Sequence, residues 1–281
     1  MRYRALLVRC TFPRPGAAVT CAVSGGADSL ALLVLAVDAG CRVTAVHVDH
    51  GLRPGSADEA DAVGHAALRY GAGFRSEKVQ VDPGPNLEAR ARAARYGVLP
   101  PDVLTGHTAD DQAETVVLNL LRGAGLDGLA GIRPGLRHPI LDLRRHETEA
   151  ICAGEGLKAV VDATNADPVH RRNRVRHELI PLMNDIAQRD IVPILARQAR
   201  LLRDDADALT PTLDPTDAAA LAAAEPALAR RAVRRWLTTD HPPDAATVER
   251  VLAVARNEAK RADVGGNRSV ARTRNVLRLE H

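Results

Sequence analysis

Ser24-Gly25-Gly26-Ala27-Asp28-Ser29 stands between two apolar runs, Ala17–Val23 and Leu30–Val37. The first run reads as a buried parallel strand, the second as the apolar face of a helix. A Gly-Gly pair lets the backbone approach an anion closely, because no Cβ intervenes. The helix N-terminus behind it offers free N–H groups and the positive end of its dipole to phosphate. Ser24 and Ser29 add hydroxyl donors, and Asp28 is suited to hold Mg²⁺ beside the phosphates. The six residues are therefore the expected nucleotide site. They do not form a Walker loop: the lysines are Lys78, Lys158 and Lys260, and none follows a glycine.

Strand and helix signals alternate outward from this loop. Strands are expected at Ala17–Val23, Arg42–Val48, Phe74–Val81 and Asp102–Thr105, with helices around 29–38, 57–70, 87–97 and 110–122. Such alternation predicts an α/β fold with a doubly wound parallel sheet and ligands at the carboxyl ends of its strands. The loops 24–29, 47–53, 84–86 and 106–111 then converge on one rim. Past residue 165 the strand signals fade. Residues 174–207 read as one or two long helices, broken or started near Pro181 and Pro193. Pro211 and Pro215 mark a linker, followed by helices at 218–221, 227–237 and 245–256. A short β hairpin is expected from Arg268–Arg272 and Val276–Leu279. The expected organisation is a catalytic domain over 1–207 and a smaller, mainly helical domain over 208–281.

Hydrophobic residues make up 46% of the chain but aromatics only 2%, so the core has to be aliphatic. No apolar run reaches the roughly eighteen residues of a membrane span, so no membrane partner is expected. Cys10, Cys21, Cys41 and Cys152 form no C-x-x-C pair, which suits a reduced, cytoplasmic protein. Residues 1–165 carry a net charge of −1 and residues 166–281 of +4. The excess gathers at Arg171–Arg176, Arg230–Arg235 and Arg268–Arg278. One such cluster is an ordinary solvated face; three in one half favour a polyanion such as RNA. Arg230/Arg234 and Arg231/Arg235 stand at i, i+4, which sets four guanidiniums along one helical stripe.

Thr105-Gly106-His107-Thr108-Ala109-Asp110-Asp111-Gln112-Ala113-Glu114-Thr115 places a histidine and several carboxylates at a strand end and on the first turns of a helix. Acidic groups there complement the helix dipole. At a ligand rim the same set suits a cation, either Mg²⁺ or a substrate ammonium.

Together with the loop, this segment resembles the tRNA(Ile)-lysidine synthases of the ATP pyrophosphatase superfamily. The resemblance continues through His47-Val48-Asp49-His50-Gly51-Leu52-Arg53 and Asn86-Leu87-Glu88-Ala89-Arg90-Ala91-Arg92-Ala93-Ala94-Arg95-Tyr96. It then takes in Arg122-Gly123-Ala124-Gly125-Leu126-Asp127-Gly128-Leu129, Asp162-Ala163-Thr164-Asn165 and Arg172-Asn173-Arg174-Val175-Arg176. The matches run in order over residues 24 to 176, about half the chain.

The resemblance implies an adenine nucleotide alpha hydrolase-like sheet and a ligase reaction. ATP adenylates the 2-carbonyl oxygen of the wobble cytosine in an isoleucine tRNA with a CAU anticodon, and the ε-amino group of L-lysine displaces AMP. Asp28 and Asp110 are then expected on Mg²⁺, with His47 and Asp49 near the nucleotide. Arg92 and Arg95 would neutralise charge as the α–β bond breaks. Asp111 and Glu114 are the candidates for the lysine ammonium, and His107 for orienting the base or moving a proton. Arg172, Asn173 and Arg176 are expected to grip tRNA phosphate or to fix the interdomain linker; the stripe Arg230, Arg231, Arg234, Arg235 is expected on tRNA. The length suggests the short form, without an additional C-terminal domain; a homodimer is left open. A tRNA thiolation enzyme would share the loop but needs suitably placed cysteines. A non-catalytic nucleotide- or tRNA-binding module would have no need of Asp28, His107, Asp110, Asp111 and Glu114 together.

Overall fold

The computed structural model describes residues 2–49, 56–80, 87–160, 167, 169–210, 212–239 and 242–281; of 56–58, 87–89, 91 and 92 it describes the backbone. Contacts divide the chain into Met1–Leu202 and Arg203–His281.

The first unit opens with α1 (Arg4–Leu7), β1 (Ala18–Ala22), α2 (Ala27–Asp38), β2 (Arg42–Asp49), α3 (Ser56–Arg69), β3 (Gly73–Lys78) and α4 (Leu87–Val98). The strands are parallel in the order β1-β2-β3, with Val19 opposite Val43 and Ala45 opposite Phe74. The fourth expected strand is reduced to one bridge, Leu104 beside Cys21. Leu104 N donates to Thr20 O at 2.8 Å and Ala22 N to Leu104 O at 2.9 Å. Pro100 and Pro101 have no N–H to give a ladder, and Thr105 N is already bonded to Arg137 O at 2.8 Å. Leu104 nevertheless joins β1 on the edge opposite β2. The sheet thus changes winding direction at β1, the switch point where open α/β sheets bind ligands.

Helix α2 is apolar on all sides, and Leu32, Leu33 and Leu35 are fully buried between the sheet and a later helix. The core is aliphatic, as its composition requires; Tyr3, Phe12 and Tyr70 only border it.

There follow α5 (Ala109–Leu121), α6 (Leu126–Leu129), α7 (Arg145–Gly154), α8 (Arg171–Arg174), a π-helical turn over Val175–Leu179, α9 (Ile180–Ala187) and α10 (Val192–Ala208). The sequence reading had no element where α7 lies. It starts where Glu147 Oε2 accepts Arg144 N at 2.8 Å, and it packs Ile151 and Cys152 into the α2 core. The expected long helix over 174–207 is divided as the prolines suggest. Pro181 has no N–H for the His177 carbonyl, and its ring would clash with that carbonyl in an α-helix; the wider π-turn accommodates it. Gln188 takes φ +51° after α9, and α10 restarts with Pro193 in its first turn.

The second unit holds α11 (Ala218–Ala223), α12 (Pro226–Leu237), α13 (Ala245–Ala255), β4 (Arg261–Gly265), β5 (Arg268–Thr273) and β6 (Val276–Glu280). Leu221, Val233, Val251, Val270 and Leu277 form its core. The expected β hairpin is one half of a three-stranded antiparallel sheet, β4-β5-β6. β4 escapes a hydropathy reading because Arg261-Ala262-Asp263-Val264 sets charges beside small apolar groups. Its turn was readable: Gly265, Gly266 and Asn267 all take positive φ. Among the described residues, no helix is long and apolar enough to cross a membrane.

Candidate active site

The loop after β1 is tied to itself. Ser29 Oγ donates to Gly26 O at 2.8 Å and accepts Ser24 N at 3.1 Å. Gly25 takes φ +86°, and a Cβ there would stand 3.1 Å from Val160 Cγ2. In the first turn of α2, Ser29 N and Leu30 N bond Gly26 O at 3.1 and 3.0 Å, which leaves the N–H groups of Ala27 and Asp28 without an intrahelical acceptor. Beside the loop His47 is 2% exposed, with Nδ1 3.0 Å from Val23 O. A carbonyl only accepts, so Nδ1 carries the proton and Nε2 is the bare nitrogen of the neutral ring. That buried Nε2 has no hydrogen-bond partner among the described residues. Asp49 ends β2 on the same rim, where its carbonyl accepts Val79 N at 2.8 Å. The rim segments 50–53 and 84–86, and with them His50 and Asn86, lie outside the described residues.

The second half of the site is docked onto the first by a glycine. A Cβ on Gly106 would meet the Asp28 carbonyl oxygen at 2.7 Å, so only glycine brings the 105–108 segment against the first turn of α2. Thr108 then caps α5: Asp111 Oδ2 accepts Thr108 N at 2.9 Å and Thr108 Oγ1 at 3.0 Å. Gln112 fixes the far side by bonding both N and O of Ile132.

Three carboxylates and three guanidiniums meet at this junction. Glu114 is 1% exposed. It accepts Arg176 Nε at 2.6 Å, Arg172 Nε at 2.7 Å and both terminal nitrogens of Arg145 at 3.3 Å. Asp111 Oδ1 lies 2.9 Å from Arg172 Nη2 and 3.5 Å from Arg145 Nη2. Arg145 Nε in turn lies 3.5 Å from Asp28 Oδ2, while Asp28 Oδ1 accepts the Thr148 hydroxyl. One guanidinium therefore joins the phosphate loop to the acidic face of α5. Burial pushes the Asp28 carboxyl up to about 6; Thr148 and Arg145 draw it down and Asp111 raises it. At Asp111 burial also raises the pKa, but the charges of Arg172 and Arg145 outweigh it and hold the group below the usual range.

His107 and His138 share a hydroxyl. Thr105 Oγ1 is 2.8 Å from Nδ1 of each, and the rings meet edge to face with centroids 4.8 Å apart. The Arg137 carbonyl, 3.1 Å from the same Oγ1, is a third acceptor for the one hydroxyl proton, and where it takes that proton both ring nitrogens donate to Oγ1.

Several expected positions fall elsewhere. Asp110, expected on a metal, has both oxygens on Arg144, and Oδ2 also accepts Arg145 N at 2.8 Å. It anchors α7, and its carboxyl is held low: burial opposes this, but the Arg144 and Arg145 bonds prevail. Arg172 and Arg176, expected on tRNA phosphate or on a linker, are instead the counter-charges of Asp111 and Glu114. Asn173 is buried, with Nδ2 on Asp167 O at 2.9 Å. Arg95 Cζ lies 5.3 Å above the Tyr96 ring; the Arg92 side chain and residues 162–165 are outside the described set. In the second unit the arginine stripe is partly used within the fold. Arg230 Nε pairs with Glu249 at 2.5 Å, and Arg231 bonds the carbonyls of Ala206 and Leu209. Arg144, Arg145, Thr148 and His138 are site residues the sequence reading missed. A signal existed for α7: Arg145, Thr148 and Cys152 recur at i, i+3, i+7 behind an Arg-x-x-Glu start.

A PP-loop domain model matches residues 3–183. The chain is 44% identical to the tRNA(Ile)-lysidine synthase of Nocardia farcinica over 246 residues, covering 79% of this chain and 77% of that protein. It is 42% identical to that of Thermobifida fusca over 271 residues, 86% and 83% of the two chains. The chain belongs to the tRNA(Ile)-lysidine synthase family. Among solved structures it is similar to the U34-tRNA thiolase NcsA of Methanococcus maripaludis, at a TM-score of 0.55 and 17% identity, over 71% of this chain and 78% of that one. At that identity the likeness shows the fold alone. In this family member Arg145 joins the Ser24–Ser29 loop to the acidic start of α5.

Proposed function

We propose that this chain adenylates the wobble cytosine of an isoleucine tRNA with a CAU anticodon and ligates it to free L-lysine, giving lysidine, AMP and pyrophosphate. The observation that carries the reading is Arg145, bonded on one side to Asp28 of the phosphate loop and on the other to Asp111 and Glu114. A nucleotide site and carboxylates suited to an ammonium thus share one side chain. The name that the relatives carry, tRNA(Ile)-lysidine synthase, supports the tRNA; the carboxylate of Asp111 supports the amine.

In the first step the cytosine 2-oxygen bonds to the α-phosphorus and the bond to the β-phosphate breaks. Gly25, Gly26 and the N-terminus of α2 receive the pyrophosphate. His47 Nε2, buried beside the loop with no partner among the described residues, fits a donor on the nucleotide. Asp28 fits Mg²⁺, because a carboxyl that burial holds near pH 6 is driven to ionise by an adjacent cation. Bound with ATP, Mg²⁺ would screen the charge of the phosphates. In the second step lysine Nε bonds to C2 and the bond from C2 to the adenylated oxygen breaks, releasing AMP. Asp111 draws the ammonium in while Glu114 stays paired with its three guanidiniums. Of the two protons the amine sheds, one passes to His107, whose Nδ1 is anchored on Thr105, and the other to the departing AMP phosphate or to water.

Persulfide chemistry is poorly served here. Burial pushes Cys10 and Cys21 up to about 12 and Cys152 to about 11, far from the thiolate such transfer needs. The test is to incubate the protein with ATP, lysine and a CAU-anticodon tRNA(Ile) transcript, then analyse the digested nucleosides by mass spectrometry. A cytidine heavier by one lysine less water is expected; sulfur incorporation, or no new nucleoside, would overturn the reading.

A further inference from the structure

The helix that carries the acidic pair at one end forms an open groove at the other. Leu118, Val175 and Leu179 line its floor, and Leu121 and Leu182 its lips, around a cavity of about 520 Å³. That volume lies within the roughly 300–1,000 Å³ of small-molecule sites. Leu121 and Leu182 are 67% and 52% exposed, so the groove displays apolar surface to solvent. Its rim is basic. Arg122, Arg171 and Arg174 stand there with one carboxylate, Glu178, which Arg174 already occupies at 2.8 Å. Arg122 and Arg171 are exposed and have no carboxylate partner among the described residues.

We infer that this groove is a subsite for an unstacked nucleotide of the RNA strand next to the reacting base, with aliphatic side chains against the base face and Arg122 and Arg171 on flanking phosphates. The inference rests on the proposed function, which brings an RNA strand to the N-terminus of α5. Two observations select this occupant. The first is charge complementarity: two exposed guanidiniums with no carboxylate partner among the described residues, beside an apolar floor, match a base with its phosphates, and guanidinium planes also stack on bases. The second is continuity. Asp111 and Leu121 lie on one helix, about 15 Å apart at 1.5 Å per residue, a span of a few nucleotides. The segment 171–179 serves both ends, since Arg172 and Arg176 reach Glu114 while Arg171, Arg174 and Val175 line the groove.

The test uses the full chain with a CAU-anticodon tRNA(Ile) transcript carrying 4-thiouridine, one position at a time, on either side of the reacting cytosine. Crosslinks should fall on peptides containing Leu121 or Arg171. Leu121→Asp, at an exposed position, should raise the KM for tRNA tenfold or more, and Arg122→Gln with Arg171→Gln should raise it several-fold. The KM values for ATP and lysine should stay at wild-type levels. Unchanged tRNA KM in both variants, with crosslinks elsewhere, overturns the subsite while lysidine formation by the wild type stands. A dimer in sedimentation that Leu121→Asp dissolves without changing the tRNA KM assigns the groove to self-association and also overturns it. Absence of lysidine from the wild type is a failure of the proposed function itself and is read before any variant.

Discussion

Gly106 backs so closely onto Asp28 that a Cβ there would stand 2.7 Å from the Asp28 carbonyl oxygen and 3.0 Å from Ser29 N. Both atoms are backbone at the first turn of α2, so neither can move aside as a side chain would. Gly106→Ala should therefore push apart the phosphate loop and the Thr105–Thr108 segment. Overpacking of this kind costs about 1–3 kcal/mol. A lowered Tm with a raised KM for ATP is the expected result. A variant with wild-type Tm and ATP dependence would show that the two halves of the site are not held by this contact.

Asp28 also sets a pH signature. Its carboxyl rises from 3.8 to about 6 in the folded chain, through burial first and the charge of Asp111 in support. Between about pH 4 and 6 the folded state then binds more protons than the unfolded one, so this group lowers stability as pH rises through that window. Asp28→Asn removes the contribution. The stability of wild type minus variant, from urea denaturation, should fall by on the order of 2 kcal/mol from pH 4 to 6 and level off above. Pyrophosphate release should drop a hundredfold or more if Asp28 holds the metal at a developing charge. A difference curve flat from pH 4 to 7 would contradict the raised carboxyl.

Glu114 and Asp111 should separate stability from lysine use. Glu114 is the buried hub of Arg145, Arg172 and Arg176. Glu114→Gln leaves three guanidiniums short of a counter-charge and should cost about 3 kcal/mol. Adding Arg176→Met should restore part of that loss, because it removes one of the stranded charges. Asp111→Asn keeps the shape of the α5 cap and should act mainly on lysine, raising its KM tenfold or more with little change for ATP. A rise confined to the KM for ATP would make Asp111 a nucleotide or metal residue instead.

What was legible in the sequence follows the range of each interaction. The Ser24–Ser29 turn, the acidic start of α5 and the start of α10 at Pro193 are local, and residue types within a few positions suffice to read them. The doubly wound parallel sheet was also legible, because alternating strand and helix signals leave few topologies; the strand order that puts the switch point at β1 was not. The partners of Glu114 were not, since Arg145, Arg172 and Arg176 lie 31, 58 and 62 residues away. Seen in sequence, an arginine cluster at 171–176 looks like a basic surface; whether acids meet it is decided by tertiary packing. β4 was missed for the opposite reason, a local pattern too polar to announce a strand whose Ala262 is 3% exposed.

The arginine stripe of α12 should divide by what each side chain already does. Arg231 bonds the carbonyls of Ala206 and Leu209, and Arg230 pairs with Glu249. Arg231→Gln should therefore lower stability by about 1 kcal/mol, the usual net worth of such bonds. Arg230→Gln at an exposed pair should change little. Arg235 is exposed and makes no ion pair among the described residues, and Arg234 stands one residue before it on the same helix. If the stripe meets tRNA phosphates, Arg234→Gln with Arg235→Gln should weaken tRNA binding. It should also flatten the log–log salt dependence by about one for each phosphate no longer neutralised, as fewer counterions are released. ATP binding should persist, since no residue of the phosphate loop is touched. Filter binding across a salt series gives the slope directly. A double variant with wild-type affinity and slope would leave α12 as a helix whose arginines serve only its own unit.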